Sequence, residues 1–179
     1  GPVARNMIRT LFLSMQELNK GARRPEGVPE YKVKKLGILG AGMMGAGVAY
    51  VSARAGMEVV LLDQNAQAAE RGKAYSEGLL DKAISRGRST AEKKQELLDN
   101  ITATDDYDAL NGCDLIIEAV FENRDIKAEV TKKAEAQIAE TAVFGSNTST
   151  LPISGLASAS ARPENFIGIH FFSPVDKMM

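Results

Sequence analysis

Three closely spaced glycines, Gly40, Gly42 and Gly45, form the clearest chemical signal in the sequence. They follow a short apolar run, 36–39, and begin a segment whose apolar residues recur at helical spacing. In such a strand–turn–helix unit, the first glycine permits a tight turn, the second lets the backbone approach a pyrophosphate, and the third allows helix and sheet to pack closely. The N–H groups of the helix N-terminus favour the anion. The motif predicted to cradle a dinucleotide is Gly40-Ala41-Gly42-Met43-Met44-Gly45.

An acidic residue, Asp63, follows the second apolar run, Glu58–Leu62, about 20 residues beyond the glycine motif. A carboxylate at this position accepts hydrogen bonds from the ribose hydroxyls of NAD and repels the 2′-phosphate of NADP. Neither Gln64 nor Asn65 supplies a cation for that phosphate. The sequence therefore predicts NAD as the cofactor. The alternatives are a glycine-rich turn without a ligand and an aspartate that caps the next helix.

Polar residues follow three later apolar runs, at the points where parallel strands would end. They occupy 118–123, 146–149 and 170–174, with Lys127 shortly after the first group. In an open parallel sheet the ligand lies outside the carboxyl ends of the strands, so these groups are expected to converge on the cofactor.

Each polar group also has a structural alternative. Glu122 and Asn123 are candidates to cap one helix, and Ser149 or Thr150 to cap the next. Lys127 is a candidate for a solvated helix face.

The only histidine, His170, follows the last apolar run, Phe166–Ile169, which we predict to be a buried strand. Oxidation of an alcohol transfers a hydride to nicotinamide and a proton to a base. Imidazole titrates near working pH, and general-base assistance contributes roughly 10²–10⁴-fold. We therefore predict that His170 is the proton acceptor of a dehydrogenase.

Alternation of short apolar runs with longer amphipathic segments predicts an α/β fold with a doubly wound, mainly parallel sheet of the Rossmann type. A long polar segment, Ala66 to Leu98, is predicted to form two helices that break near 87–90, as an excursion after the second strand. The predicted strands are Lys35–Leu39, Glu58–Leu62, Ile101–Thr104, Leu115–Glu118, Ala142–Gly145 and Phe166–Ile169.

Apolar residues between Val3 and Lys20 recur at spacings of three and four, which predicts a helix. Gly21 ends this helix, and an irregular connector, 23–29, follows because two prolines and two glycines, Gly21 included, leave little regular hydrogen bonding. We divide the chain into a linker helix with its connector, 1–32, and an NAD-binding domain, 33–179. The helix packs either on its own domain or on a neighbouring one.

Composition excludes several classes of function. The 22 basic and 23 acidic side chains nearly cancel, so no long-range field attracts nucleic acid. No apolar run reaches the length of a membrane span. Cys113 is the single cysteine, and neither a disulfide nor a Cys/His metal cluster is expected.

Four motifs in order resemble those of the 3-hydroxyacyl-CoA dehydrogenase family, over nearly all of 33–179. They are Gly40-Ala41-Gly42-Met43-Met44-Gly45-Ala46-Gly47, Glu118-Ala119-Val120-Phe121-Glu122-Asn123, Ser146-Asn147-Thr148-Ser149 and His170-Phe171-Phe172-Ser173-Pro174-Val175. The first and last segments resemble most the α-subunits of multifunctional fatty-acid oxidation complexes, in which a linker helix follows an enoyl-CoA hydratase domain.

The resemblance implies roles for individual residues. His170 is the catalytic base, and Ser149 contacts both the substrate and the nicotinamide. In the family a glutamate about a dozen residues further on orients the histidine, a position beyond Met179. The residues implied to bind NAD are Gly40, Ala41, Gly42, Met43, Met44, Gly45, Asp63, Ala119, Val120, Glu122, Lys127, Ser149 and Ser173.

The resemblance also implies that the parent enzyme oxidises (S)-3-hydroxyacyl-CoA to 3-ketoacyl-CoA in fatty-acid β-oxidation. A hydratase domain in the same chain, a thiolase subunit and a location in the bacterial cytoplasm, with the mitochondrial matrix as an alternative, are implied in the same way. We expect residues 1–179 to bind NAD with little or no turnover, because the glutamate and the C-terminal helical domain are missing. The rival hypotheses are another β-hydroxyacid dehydrogenase, which would normally use a lysine, and a non-catalytic NAD-binding module.

Overall fold

The computed structural model describes residues 1–22 and 24–178. Arg23, in the predicted connector, and Met179, at the end of the predicted NAD-binding domain, lie outside the described residues. The chain divides into two compact units, Gly1–Lys32 and Val33–Met179.

The first unit contains one helical run. It consists of α1 (Pro2–Met7), a π-helical segment (Ile8–Leu13) and α2 (Ser14–Asn19), and the backbone stays in the right-handed helical region at both junctions. The predicted helix is therefore confirmed. Gly21 follows it with a positive φ of 72°, a conformation that glycine adopts without a steric penalty.

Within the described residues, the second unit contains six strands that form one parallel sheet in the order β3-β2-β1-β4-β5-β6. This strand order is that of a Rossmann-type dinucleotide-binding fold, as predicted. The strands are β1 (Lys35–Leu39), β2 (Glu58–Leu62), β3 (Ile101–Thr104), β4 (Leu115–Glu118), β5 (Val143–Ser146) and β6 (Phe166–Gly168).

The first four strands have the predicted bounds, and the last two differ. β5 is shifted by one residue because Val143 pairs in register with Leu115 of β4. β6 ends at Gly168 and lies at the edge of the sheet, where Ile167 is 52% exposed. The prediction that His170 follows a buried strand is therefore wrong, because this strand has a neighbour on one side only.

Helices cover both faces of the sheet, because alternate residues of each buried strand point to opposite faces. Leu36 and Ile38 of β1 join one core cluster with residues of α3, α4 and α5, whereas Leu39 joins the other cluster. The helices of this unit are α3 (Met43–Arg54), α4 (Ala66–Ser85), α5 (Ala91–Asp99), α6 (Arg124–Glu135) and α7 (Ile153–Ala157). The short 3₁₀ turns are Tyr107–Leu110, Pro163–Asn165 and Val175–Lys177.

The predicted helical excursion after β2 is confirmed as α4 and α5. The side chain of Asn65 accepts a hydrogen bond from the N–H of Ala68 and caps α4, and Thr90 caps α5 in the same way. Asp63 is therefore not the cap of the following helix, which removes that alternative. In the described ranges, every helix is too short or too polar to cross a membrane.

Close packing of α3 on β1 depends on Gly45. A Cβ atom at this position would lie 1.8 Å from the carbonyl oxygen of Gly40, which belongs to the backbone and has little room to move. By contrast, a Cβ atom at Gly78 of α4 would meet nothing within 4 Å. Substitution of these two helical glycines by alanine therefore separates the effect of overpacking, at Gly45, from that of helix propensity, at Gly78.

We expect Gly45→Ala to lower the free energy of unfolding by about 3 kcal/mol or more, because the methyl group overpacks the turn. Gly78→Ala should raise it by about 0.5–1 kcal/mol, because alanine is the better helix former. Urea unfolding of both variants, followed by circular dichroism, measures the two changes. Equal effects on stability would contradict the packing argument.

Candidate functional site

The glycine turn connects β1 to α3 at the carboxyl edge of the sheet. Gly40 has a φ of 96°, and a Cβ atom there would lie 2.6 Å from the carbonyl oxygen of Ala119. Gly42 is the N-cap of α3, without a side-chain hydrogen bond, and a Cβ atom there would meet nothing within 4 Å. The structure thus leaves open space beside the N–H groups that begin α3, which fits a bound pyrophosphate.

Asp63 lies beside the turn, at the carboxyl end of β2. Its carboxylate accepts hydrogen bonds from the backbone N–H of Ala41, at 2.6 Å, and of Gln64, at 2.7 Å. These contacts fix the carboxylate next to the first glycines of the motif. This is the position that the ribose of a dinucleotide occupies in a Rossmann-type fold.

A cleft of about 720 Å³ extends from Gly40 and Asp63 across the ends of β1, β2 and β4. Ala119 and Val120, which the resemblance implied as cofactor contacts, form part of its wall. Tyr107 also lines this cleft, with the ammonium of Lys133 5.8 Å from its ring centroid, and burial raises the pKa of the phenol.

Sequence reasoning missed Tyr107 and Lys133 as lining residues. The signal for Tyr107 is its place just after β3, because the carboxyl end of β3 lies on the same edge as the other site residues. No local pattern distinguishes Lys133 from other lysines on α6.

Ser149 and His170 meet at the other half of the carboxyl edge. Ser149 Oγ lies 3.3 Å from His170 Nε2, and the imidazole stacks on Phe172 with ring centroids 4.7 Å apart. Both residues are exposed, and they line a cleft of about 370 Å³ that runs between 148–153 and 168–170. A small molecule therefore has access to both side chains.

Glu122 connects the loop after β4 to the loop after β5. Its carboxylate accepts hydrogen bonds from the hydroxyl of Thr148 and from the backbone N–H of Ser149, at 3.3 Å, and it forms an ion pair with Lys127 at 3.3 Å. Partial burial raises the pKa of Glu122, but the hydrogen bond from Thr148 and the nearby ammonium outweigh it and lower the pKa overall. Glu122 is therefore anionic at neutral pH.

Lys127 is buried rather than solvated, so the alternative of a solvated helix face is wrong. Its ammonium lies 2.7 Å from the carboxylate of Glu118, and neither side chain is more than 2% exposed. The resemblance implied a direct contact between Lys127 and NAD, whereas in the structure its ammonium is buried and contacts the carboxylates of Glu118 and Glu122. Glu118 was predicted as the end of a strand and as the first residue of a polar group that converges on the cofactor, whereas the structure buries its carboxylate against Lys127.

The helix-cap alternatives have different outcomes. Asn123 does cap α6, because its side chain accepts hydrogen bonds from the N–H groups of Asp125 and Ile126. Neither Ser149 nor Thr150 caps α7, whose N-cap is Pro152.

The segment after His170 returns to the glycine turn. The hydroxyl of Ser173 donates to the sulfur of Met43, at 3.7 Å, and Val175 packs against α3, where a Cβ atom at Gly47 would lie 3.0 Å from it. Met44 packs against the core on the α3 side of the sheet. The structure therefore brings Ser173 beside the cofactor motif from which it is far removed in sequence.

Residues 35–179 match the family model of the NAD-binding domain of 3-hydroxyacyl-CoA dehydrogenase. The chain belongs to this family. NAD is the cofactor of the family, in agreement with the prediction from Asp63. Relatives of the domain are oxidoreductases of the 3-hydroxyacyl-CoA dehydrogenase type.

Similar proteins are longer than this NAD-binding domain. The chain is 41% identical over 168 residues to a fatty acid oxidation complex subunit alpha of Colwellia psychrerythraea, and 42% identical over 177 residues to one of Pseudomonas syringae pv. syringae. These alignments cover 94% and 99% of the chain but only 23% and 24% of the relatives, so the chain spans about a quarter of their length.

A solved structure of an (S)-3-hydroxybutyryl-CoA dehydrogenase from Ralstonia eutropha is also similar. It is 37% identical with a TM-score of 0.78, and the match covers 82% of this chain and 52% of that one.

We expect Gly42→Ala to weaken NAD⁺ binding about tenfold or more, because the methyl group occupies the open space beside the start of α3. The fold should be retained, with the free energy of unfolding changed by no more than about 1 kcal/mol. Calorimetric titration with NAD⁺ measures the effect, and Gly78→Ala serves as the control. Unchanged affinity in Gly42→Ala would contradict the assignment of this space to the pyrophosphate.

Proposed function

We propose that this chain is the NAD-binding part of an enzyme that oxidises (S)-3-hydroxyacyl-CoA to 3-ketoacyl-CoA. The observation that carries the proposal is the 3.3 Å approach of Ser149 Oγ to His170 Nε2 at the carboxyl edge of the sheet. A hydroxyl and an imidazole at this edge support the proposal, because ligands of open parallel sheets bind outside the carboxyl ends of the strands. Bound NAD⁺ supplies the hydride acceptor.

The cofactor is proposed to lie across the carboxyl ends of β1 and β4, where the strand order reverses direction. Its pyrophosphate lies against 40–45, the adenosine ribose against Asp63, and the adenine in the cleft beside Ala119 and Val120. Glu122, Ser149 and Ser173 are proposed to contact the nicotinamide half. Lys127 is proposed to act on this half through Glu122, because its ammonium is buried.

His170 is proposed to accept at Nε2 the proton of the substrate hydroxyl, while a hydride leaves the carbon that bears this hydroxyl and the carbonyl forms. The hydroxyl of Ser149 then donates a hydrogen bond to the oxygen that becomes the carbonyl. Both groups are exposed to the cleft between 148–153 and 168–170, so the substrate can approach them from solvent. A pair of this kind gives the alcohol one acceptor and one donor at the same oxygen.

We further propose that the parent protein is the α-subunit of a fatty-acid oxidation complex in the bacterial cytoplasm. The similarity to the two bacterial α-subunits over 94% and 99% of this chain supports this assignment. The proposed parent carries an enoyl-CoA hydratase domain, a lyase, in the same chain and binds a thiolase subunit. Residues 1–179 alone are proposed to bind NAD with little turnover.

Calorimetric titration of the chain with NAD⁺ and with NADP⁺ tests the cofactor site. We expect NAD⁺ to bind more tightly, and Asp63→Ala to weaken NAD⁺ about tenfold, because the charged carboxylate no longer accepts from the ribose. Asp99→Ala, an exposed carboxylate on α5, is the control. Equal affinities for the two dinucleotides would overturn the role of Asp63.

Oxidation of (S)-3-hydroxyacyl-CoA by the parent-length protein, followed by the absorbance of NADH, tests the chemistry. His170→Ala should lower kcat by roughly 10²–10⁴-fold, because the proton acceptor is lost. Affinity for NAD⁺ should stay within a few-fold of the wild type. Activity that survives in His170→Ala would sink the proposed mechanism.

A further inference from the structure

A chain of polar contacts connects the interior of the domain to His170. It begins at Glu118, whose side chain is 1% exposed and whose carboxylate lies 2.7 Å from the ammonium of Lys127. The same carboxylate accepts hydrogen bonds from the backbone N–H of Val120, at 2.8 Å, and from the hydroxyl of Ser146, at 2.6 Å. Glu118 therefore joins the ends of β4 and β5 to α6.

The buried ammonium of Lys127 is surrounded by acceptors. They are Glu118 Oε1 at 2.7 Å, Glu122 Oε2 at 3.3 Å and the backbone oxygen of Asn147 at 3.4 Å. An ammonium has three N–H donors, so each acceptor can take one. The orientation of the cation is thereby set by the sheet and by two loops together.

Glu122 links Lys127 to the loop after β5. One of its oxygens faces Lys127, and the other accepts from the hydroxyl of Thr148 and from the backbone N–H of Ser149, at 3.3 Å. The side chain of Glu122 is 36% exposed, so without the buried cation only its contacts to 148–150 oppose a turn toward water. The hydroxyl of Ser149 in turn lies 3.3 Å from His170 Nε2.

We infer that Lys127 is a positioning residue, which holds Glu122 in the orientation that presents Ser149 to His170. The inference rests on the proposed function for its importance, because the distance between Ser149 and His170 matters only if these residues act on a substrate. Two carboxylates, Glu118 and Glu122, meet at this one cation. Loss of the cation removes the ion pair that turns Glu122 inward, and Glu122 moves into solvent because it is the more exposed of the two carboxylates.

The imidazole of His170 provides a direct readout, because it is the only histidine in the chain and gives a single set of NMR signals. The test variant is Lys127→Met with Glu118→Gln, which replaces the buried ion pair by neutral side chains. Removal of both charges leaves neither of them buried without its partner, which is the main cost of a single substitution in such a pair, so this double variant is expected to fold. Ser149→Ala is the reference for a lost contact to His170, and Lys132→Met, an exposed lysine on the same helix, is the control.

We expect the His170 signals of the double variant to move in the same direction as those of Ser149→Ala, and the control to match the wild type. Affinity for NAD⁺, measured by calorimetry, should fall about tenfold in the double variant, the factor expected for a lost hydrogen bond to a charged group. A folded double variant with the His170 signals and NAD⁺ affinity of the wild type overturns the inference. That result would show a purely structural ion pair.

A second variant keeps the inference open to disproof if the double variant does not fold. Glu122→Ala cuts the same chain of contacts at a partly exposed position, and an unmoved His170 signal in this variant also overturns it. Failure of the proposed function is distinguishable from these outcomes. It would appear as absence of NAD⁺ binding in the wild type, whereas the comparison of His170 signals needs no ligand.

Discussion

All strands of the sheet run in one direction, and the position of every site residue depends on this constraint. Parallel strands end at the same edge, so the loops after β1, β2, β4, β5 and β6 meet there although they are far apart in sequence. Gly40, Asp63, Glu122 and Ser149 each follow a different strand. The common direction of the strands therefore brings donors and acceptors together at one edge, although none of them are neighbours in the chain.

Much of this arrangement was predictable because the physical signals are local. The glycine motif, the carboxylate after β2 and the first four strands require only patterns within a few residues, and they were predicted with the correct bounds. The position of β6 at the sheet edge was not predictable in this way, since exposure depends on which strand has a second neighbour. The burial of Lys127 was missed for the same reason. A lysine on a polar helix has the same local pattern whether its ammonium reaches water or the buried carboxylate at the end of a strand.

Transfer of a cation and a carboxylate from water to a protein interior costs free energy. Among the described residues, the only buried charged side chains are those of Glu118 and Lys127, which pair with each other. Each oxygen of Glu118 has a donor, and the ammonium has three acceptors. A fully paired network of this kind has a single favourable geometry, because any displacement leaves a charge without a partner. The ends of β4 and β5 are therefore joined more rigidly than apolar packing alone would achieve.

Strand β6 is held less firmly than the other end of the site, because its three residues pair with β5 alone. A short strand at the periphery separates from a sheet at a smaller free-energy cost than a central strand, and such partial opening leaves the remaining core folded. His170 follows this strand, whereas the glycine turn and Asp63 follow β1 and β2 near the centre. Local stability is therefore lower at β6 than at the centre of the sheet. The part of the sheet that carries the glycine turn stays folded when the segment with His170 opens, so the proposed cofactor binding and the proposed proton transfer depend on parts of different local stability.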